Sequence, residues 1–212
     1  MFRSFAMAAA LWLVSAPFCA AAELGVLGGF GAATSMTATA GGSSASAGFQ
    51  PGAGVGALLG DDQTNLLGGE VRYLMLFDNL KISQGGTQAT FSGRSQLIHY
   101  DVLFHFRPRR SPVRPFLAAG GGVRWIEGTG AQQVYQPLSE YALFSQTREI
   151  VPLISAGGGV KFRVSSKVSL RMEVRDYISP HLTKVIAASP GATLHGWINE
   201  FVPLAALTFT FH

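Results

Sequence analysis

Hydrophobic and polar residues alternate along much of this chain. In residues 168–175 the even positions are aliphatic and the odd positions are polar or charged: Val168, Leu170, Met172 and Val174 against Ser169, Arg171, Glu173 and Arg175. Because successive side chains of a β-strand point to opposite faces, this spacing predicts a strand with one apolar and one charged face. Such a strand suits the wall of a soluble sandwich or barrel, the wall of a membrane barrel, or a strand that carries catalytic residues.

Period-two segments recur throughout the rest of the chain and predict an all-β protein. After residue 22 no segment is apolar for the roughly 20 residues that a transmembrane helix needs, and no long segment has a helical period. The predicted strands number eight, and they cover residues 23–33, 49–60, 65–77, 93–107, 114–126, 148–164, 167–178 and 198–212.

Short and long connections alternate between these strands. The short ones are the segments GDDQTN, RPRRSPVRP and the pair Ser165–Ser166, and the long ones are residues 34–48, 78–92, 128–147 and 179–197. Tight turns at one end and long loops at the other are typical of an up-and-down barrel whose ends face different compartments. The sequence therefore predicts an eight-stranded antiparallel up-and-down β-barrel.

Aromatic residues fall at both ends of the predicted apolar face. The long-loop end has Phe30, Phe49, Phe77, Trp125 and Phe201, and the short-turn end has Phe104, Phe106, Phe162, Phe209 and Phe211. Two aromatic rings flanking an aliphatic band match the two interfaces of a bilayer. Charged residues make up only 13% of the chain, against about 25% in soluble domains. Both observations favour a transmembrane barrel over a soluble barrel of the lipocalin type, which would need a charged outer surface.

The N-terminus has the pattern of a secretory signal peptide. Arg3 precedes an apolar run over residues 5–14, and small residues at 20–22 form a cleavage site before Glu23. The prediction is a cleaved signal over residues 1–22 and one barrel domain over residues 23–212. Cys19 is the only cysteine, so the exported part is expected to lack disulfides and thiol chemistry. The net charge of +4 is small and dispersed, which predicts no nucleic-acid partner.

With these features the chain resembles the OmpA/OmpX-like family of small outer-membrane β-barrels. The resemblance is carried by the signal peptide, by RPFLAAGGGVRW at residues 114–125, by SAGGGVKFRVSSKVSLRMEVRDYIS at residues 155–179, and by the terminal LTFTFH. It implies an outer-membrane location, contact with outer-membrane lipid and lipopolysaccharide, and handling by the outer-membrane assembly machinery. That machinery reads a terminal aromatic residue in the family, whereas here Phe211 is followed by His212. Because the sequence ends at the eighth strand, we expect no peptidoglycan-binding domain.

The polar faces of the predicted strands carry charge of both signs. If these faces line a lumen, the buried charges need partners, which a salt-bridge network supplies. The predicted network consists of Glu70, Arg72, His99, Asp101, His105, Arg124, Glu149, Lys161, Arg163, Arg171, Glu173 and Arg175. An alternative is a catalytic pair in which Asp101 orients His99 as a base. Cationic members outnumber acidic ones, so any water path through the lumen would favour anions.

Motifs for known catalytic or binding chemistry are missing from the sequence. It has no phosphate-binding loop, no HExxH, no GxSxG, and no calcium-loop spacing around Asp61 and Asp62. Some small outer-membrane barrels are lipid A hydrolases or acyltransferases that use Ser and His near the outer rim. His181 and His195 lie in the last long loop, with Ser179 and Ser189 nearby. We expect these loop residues to be solvated, and we predict no enzymatic activity, cofactor or metal. The predicted role is structural or surface-interacting, in envelope stability or adhesion; the alternatives are a lipid A-modifying enzyme and a narrow anion-favouring channel.

Overall fold

A closed eight-stranded barrel forms the body of the protein. The computed structural model describes residues 22–131 and 136–211. In chain order the barrel strands are β1 (Ala22–Ala33), β4 (Gly52–Asp61), β5 (Leu67–Leu76), β8 (Gly93–His105), β9 (Val113–Gly128), β11 (Arg148–Arg163), β12 (Val168–Pro180) and β15 (Trp197–Thr210). Each strand is antiparallel to both of its neighbours, and β1 closes the wall by pairing with β4 on one side and β15 on the other. The predicted all-β, eight-stranded antiparallel barrel is confirmed.

All eight predicted strands occur within a few residues of their predicted bounds, except that the second begins at Gly52 and not at residue 49. Pro51 separates Phe49 from this strand, and proline has no N–H to donate to a strand ladder. The predicted signal peptide, residues 1–22, lies outside the described residues apart from Ala22. No helix that could cross a membrane occurs in residues 22–131 or 136–211.

The outer face of the wall is apolar, and the inner face holds the charge. Val26, Val102 and Val174 are each more than half exposed on the outer face, whereas the arginines of β5 and β12 are fully buried inside. Most of the predicted aromatic ring residues lie exposed on this outer face at the predicted ends, including Phe30, Phe77 and Phe201 at one end and Phe104, Phe106 and Phe209 at the other. Phe49 is the exception. It lies in the connection between the first two barrel strands, where it is only 5% exposed, so it does not belong to the aromatic ring around the wall.

The four long connections are not irregular loops, as the sequence suggested, but form strands of their own. β2 (Met36–Ala40), β3 (Ser43–Phe49), β6 (Leu80–Gln84), β7 (Thr87–Phe91) and β14 (Thr193–His195) make a five-stranded sheet, and β10 (Ala142–Phe144) pairs with β13 (Ile186–Ala188). Two of the hairpins turn on Gly-Gly pairs, Gly41–Gly42 and Gly85–Gly86, all with positive φ. Two-residue turns of this kind suit the twist of a hairpin. We call this assembly of β2, β3, β6, β7, β10, β13 and β14 the cap.

The cap has a hydrophobic core that seals one end of the barrel. Met36, Ala38, Leu80 and Ile82 are at most 1% exposed within it. Barrel residues at the long-loop end, such as Ile198, join the same cluster. The cap and the barrel therefore share one apolar core at their junction, and this core fixes the cap against the end of the barrel.

Candidate functional site

Six charged side chains cross the middle of the barrel. Glu70 and Arg72 come from β5, Asp101 from β8, and Arg171, Glu173 and Arg175 from β12. In the circular strand order β12 lies opposite β5, so contacts between these two strands span the lumen. Period-two geometry alone aims all six inward, and closure of the wall brings them together. We call these six residues the central network.

Glu70 is the most connected carboxylate of the central network. Arg171 donates to both of its oxygens, with Nη1–Oε2 at 2.6 Å and Nη2–Oε1 at 3.1 Å. Arg175 and Arg72 each donate to Glu70 Oε1 through Nη2, at 2.8 Å and 2.7 Å. The three arginines therefore converge on one carboxylate and tie opposite walls together.

The other two carboxylates complete the network. Arg72 Nη2 lies 2.6 Å from Glu173 Oε1, and Arg171 Nη2 lies 2.8 Å from Glu173 Oε2. Arg175 Nη1 donates to Asp101 Oδ2 at 2.7 Å. Three arginines thus face three carboxylates, and the central network is electrically balanced when all six groups are ionised. Every member is at most 5% exposed, a degree of burial that charges tolerate only when they are paired.

An apolar layer, which was not among the predicted luminal residues, fills the lumen beside the charged one. Its members are at most 5% exposed, and they are Leu27, Leu58, Leu74, Leu76, Leu97, Leu153, Tyr177, Val202, Leu204 and Ala206. The guanidinium carbon of Arg171 also lies 4.3 Å from the centre of the Phe116 ring. Apolar and aromatic side chains therefore pack against the central network, and they leave less open space in the lumen.

Inward-facing glycines make room for the long charged side chains. A Cβ atom at Gly159 would lie 2.6 Å from Glu173 Cβ, and one at Gly157 would lie 2.7 Å from Arg175 Cδ. A Cβ at Gly120 would collide with the Tyr100 carbonyl oxygen and lie 2.7 Å from Asp101 Cα. These positions need glycine because no other residue leaves the space that the neighbouring strand occupies.

Arg124 and Glu149 lie apart from the central network, at the cap end of the lumen. Arg124 Nη2 contacts Asp78 Oδ2 at 3.0 Å and Glu200 Oε2 at 2.7 Å, so two carboxylates share one arginine. Ser95 donates to Asp78 Oδ2 at 2.7 Å. This second buried cluster lies directly under the cap, where the Phe49 ring covers Arg124 at 4.7 Å.

Glu149 anchors the last long connection. Its carboxylate accepts hydrogen bonds from the backbone N–H groups of Thr183, Lys184 and Val185, at 2.8 to 3.2 Å, and from the Thr183 hydroxyl at 2.8 Å. Burial by itself would raise the pKa of Glu149, but the bonds from Lys184 and Thr183 lower it more, so the pKa lies below the ordinary value. On the outer face beside it, Arg148 pairs with Glu127 at 3.0 Å. These outward charges mark the level where the apolar wall ends, and Glu149 therefore lies beyond the membrane-spanning part.

Lys161 and Arg163 lie at the opposite, short-turn end of the lumen. Lys161 Nζ pairs with Glu23 Oε2 at 2.6 Å. Arg163 was predicted inside the lumen, but it is exposed because it ends β11, and its guanidinium donates to the backbone carbonyls of Arg109 and Arg110. His105 is buried nearby, with Nδ1 3.9 Å from Asp62 Oδ1.

The His99–Asp101 pair has catalytic spacing but no access for a substrate. His99 Nδ1 lies 3.2 Å from Asp101 Oδ1, and both side chains are fully buried. The His99 ring also packs edge-on against Tyr177, with ring centres 5.2 Å apart. Neither side chain of the pair therefore has exposed surface that a substrate could reach.

The candidate loop residues are not arranged as a catalytic pair. Ser189 is buried and its hydroxyl donates to the Ser139 carbonyl, while His181 and His195 are exposed. Ser179 is fully buried under the cap. Within the part of the chain that the structure describes, no cluster of three histidine, cysteine or acidic side chains is arranged to hold a metal.

Four partners of the predicted charges were missed. Glu23 and Glu200 have the inward phase of β1 and β15. Each is the direct neighbour of an outward residue, Leu24 or Phe201, so strict alternation along the strand places it inside. Asp62 and Asp78 lie in connections, where strand periodicity gives no indication of the direction of a side chain.

Solved structures show the same architecture in other proteins. Neither a protein-family model nor a curated protein matches the sequence. Neisserial surface protein A matches in structure with a TM-score of 0.58 and 14% identity, over 91% of this chain and 100% of that one. The outer-membrane protein OprG from Pseudomonas aeruginosa matches with a TM-score of 0.58 and 12% identity, over 90% of this chain and 96% of that one. At such identities the likeness is one of fold, and the apolar outer wall agrees with it independently. The chain is therefore a small eight-stranded β-barrel of the outer membrane, as its resemblance to the OmpA/OmpX-like barrels predicted.

Proposed function

We propose that the protein is a sealed membrane anchor that holds a rigid, folded cap at the cell surface, with a role in envelope stability or surface contact. One observation carries the proposal: the lumen is blocked at its centre by the balanced central network and at its outer end by the core of the cap. A barrel built in this way offers its wall to lipid and its cap to the outside, and nothing needs to pass through it.

The balanced charge of the central network weighs against an anion-favouring channel. The excess of cations counted in the sequence comes from residues outside the centre, such as Lys161 and Arg163, which lie at the short-turn end. An ion crossing the centre would have to separate Arg171 and Arg175 from Glu70, and breaking buried ion pairs costs several kcal/mol. A lipid A-modifying activity has little support, because Ser189 is buried and bonded to a carbonyl oxygen.

The surface of the cap hairpin β2–β3 is small and polar. Thr37, Ser44 and Ser46 are exposed, while Met36, Ala38, Ala45 and Ala47 point into the cap core. The buried side chains of the hairpin fix the positions of the exposed ones. The hairpin therefore offers a partner a rigid polar surface. Changing the three exposed residues alters the surface without touching the core.

The test combines conductance with complementation. The purified protein is expected to give no conductance steps in planar bilayers. A deletion strain is expected to admit a normally excluded dye or to lose adhesion, and the variant Thr37→Lys/Ser44→Lys/Ser46→Lys separates the two roles. It should restore dye exclusion if the role is envelope stability, and it should fail to restore adhesion if the role is surface contact. Regular conductance steps, or a deletion strain unchanged in both readouts, would contradict the proposal.

A further inference from the structure

A cavity of about 430 Å³ opens at the short-turn end of the barrel. It is lined by strand ends and by the turn between β8 and β9, and it faces the periplasm if the cap lies outside the cell. Binding pockets for small molecules commonly have volumes of about 300 to 1,000 Å³. The cavity is therefore large enough for a small ligand, and its lining determines which kind.

Cationic side chains dominate this lining. Arg109, Arg110, Arg114, Lys161 and Arg163 face two carboxylates, Glu23 and Asp62. The remaining lining side chains are hydroxyls, including Ser111, Ser166 and Thr210, which donate hydrogen bonds to anionic oxygens. The lining thus combines an excess of positive charge with neutral donors.

The two carboxylates are already occupied by three of the cations. Lys161 pairs with Glu23 at 2.6 Å, and Asp62 Oδ2 accepts from Arg114 Nη1 at 2.5 Å and from Arg109 Nε at 3.3 Å. Burial would raise the pKa of Asp62, but the charges of Lys161 and Arg114 lower it more, and its pKa lies below the ordinary value. Asp62 is therefore ionised at neutral pH, and its single negative charge is already shared by Arg114 and Arg109.

The other two arginines have no carboxylate within 4 Å among the described residues. Arg163 donates to the backbone carbonyls of Arg109 and Arg110. Because a backbone carbonyl carries no formal charge, these bonds leave the positive charge of Arg163 uncompensated. They also hold the turn that carries Arg109 and Arg110 in place. Arg110 itself is exposed at the cavity. The turn is thus held in place by one arginine while it presents another.

We propose that this cavity is a binding site for a phosphate group, carried either by a soluble periplasmic compound or by a phospholipid headgroup of the inner leaflet. Guanidinium groups bind phosphate through paired N–H donors, and several of them around one cavity favour a multiply charged anion. The site is independent of the proposed function, since it lies at the other end of the barrel from the cap.

Titration calorimetry of the folded protein in a maltoside detergent, which contains no phosphate, tests the site. Sodium pyrophosphate is the soluble probe, and short-chain phosphatidylglycerol is the lipid probe, with the matching phosphatidylcholine as its zwitterionic comparison. Saturable binding of pyrophosphate with little binding of either lipid assigns a soluble source. Stronger binding of phosphatidylglycerol than of phosphatidylcholine assigns a lipid source.

Two double variants distinguish the site from a general charge effect. Arg109→Gln/Arg110→Gln removes two positive charges at the cavity, and binding is expected to weaken at least tenfold. Arg94→Gln/Arg148→Gln removes the same charge from the outer face at the cap end, where these residues pair with Glu127, and binding should be unchanged. Heat-modifiable gel mobility confirms that both variants are folded. No saturable binding of any probe, or equal weakening in the two variants, would overturn the proposal.

Discussion

Glu70 is the hub of the central network, and its replacement by glutamine is the sharpest perturbation of the lumen. Glu70→Gln keeps the shape of the side chain but removes its charge, so three arginines would face two carboxylates. Glu70 is 2% exposed, and four hydrogen bonds from Arg72, Arg171 and Arg175 end on it. Removing one partner of a buried ion pair costs about 3 to 5 kcal/mol because the remaining charge is left uncompensated. We expect a loss of that size in the free energy of unfolding.

Urea unfolding in lipid vesicles, followed by tryptophan fluorescence, measures this loss. Trp125 and Trp197 lie on the outer face near the cap end, so their emission reports removal of the wall from lipid. Arg148→Gln is the matched control, because Arg148 also pairs with a glutamate but is 59% exposed. An exposed pair of this kind is worth about 0 to 1 kcal/mol.

The double variant Glu70→Gln/Arg171→Gln tests whether charge balance is the cause. Two arginines would then face two carboxylates, and the double variant should be more stable than the sum of the two single losses predicts, by about 0.5 to 3 kcal/mol. If Glu70→Gln destabilises the protein no more than Arg148→Gln does, the central network does not brace the barrel and the reasoning is wrong.

Three further predictions concern the wall and the cap. Gly120→Ala should block folding, because the new Cβ would collide with the Tyr100 carbonyl oxygen. Gly121→Ala should fold, because the nearest atom to its new Cβ would be the Leu153 carbonyl oxygen at 3.2 Å. Heat-modifiable gel mobility distinguishes a folded variant from an unfolded one. Glu149→Gln should loosen the segment that Glu149 anchors, seen as faster amide exchange at residues 183–185, while exchange in the barrel strands stays unchanged. Because the pKa of Glu149 is lowered on folding, its stabilising effect is complete above the ordinary glutamate pKa of 4.5 and is lost as the pH falls through the folded value. The protection of residues 183–185, measured as the exchange rate of the unstructured chain divided by that of the folded protein at the same pH, should therefore fall in acid. In Glu149→Gln this protection should be low at every pH and should not change in acid.

The wall was predictable because a membrane barrel imposes one rule on every strand. Lipid outside and packed side chains inside force the period of two, so the inward phase of residues such as Arg72 and Arg171 follows from sequence alone. Which inward residues meet depends on closure and on the offset between strands, which a single sequence does not specify. Thus the central network was predicted as a set of residues, but the separate positions of Arg124, Glu149 and Arg163 were not.

The cap was missed because its strands are short and their alternation is weak. In β2 and β3 the buried positions are mostly alanine and the exposed ones serine or threonine, so the contrast between faces is small and the segment resembles a polar loop. The Gly-Gly pairs at 41–42 and 85–86 were the available signal, since two such residues between short alternating runs indicate a hairpin. Leu27 and Leu58 were missed because both faces of β1 and β4 are apolar, so that alternation alone does not reveal which side is the lumen. Leu74 and Leu76 share the inward phase of Arg72 on β5, so alternation does place them in the lumen.

The orientation of the membrane-embedded barrel, with its cap outside the cell and its tight turns in the periplasm, can be measured by cysteine labelling in intact cells. The only natural cysteine, Cys19, lies in the predicted signal peptide, so single cysteines can be introduced at Ser44 in the cap and at Ser166 in the turn between β11 and β12, both of which are exposed. With a membrane-impermeant maleimide, we expect Ser44→Cys to react in intact cells and Ser166→Cys to react only after the outer membrane is permeabilised. Reaction at Ser166 in intact cells, or protection of Ser44, would contradict the account.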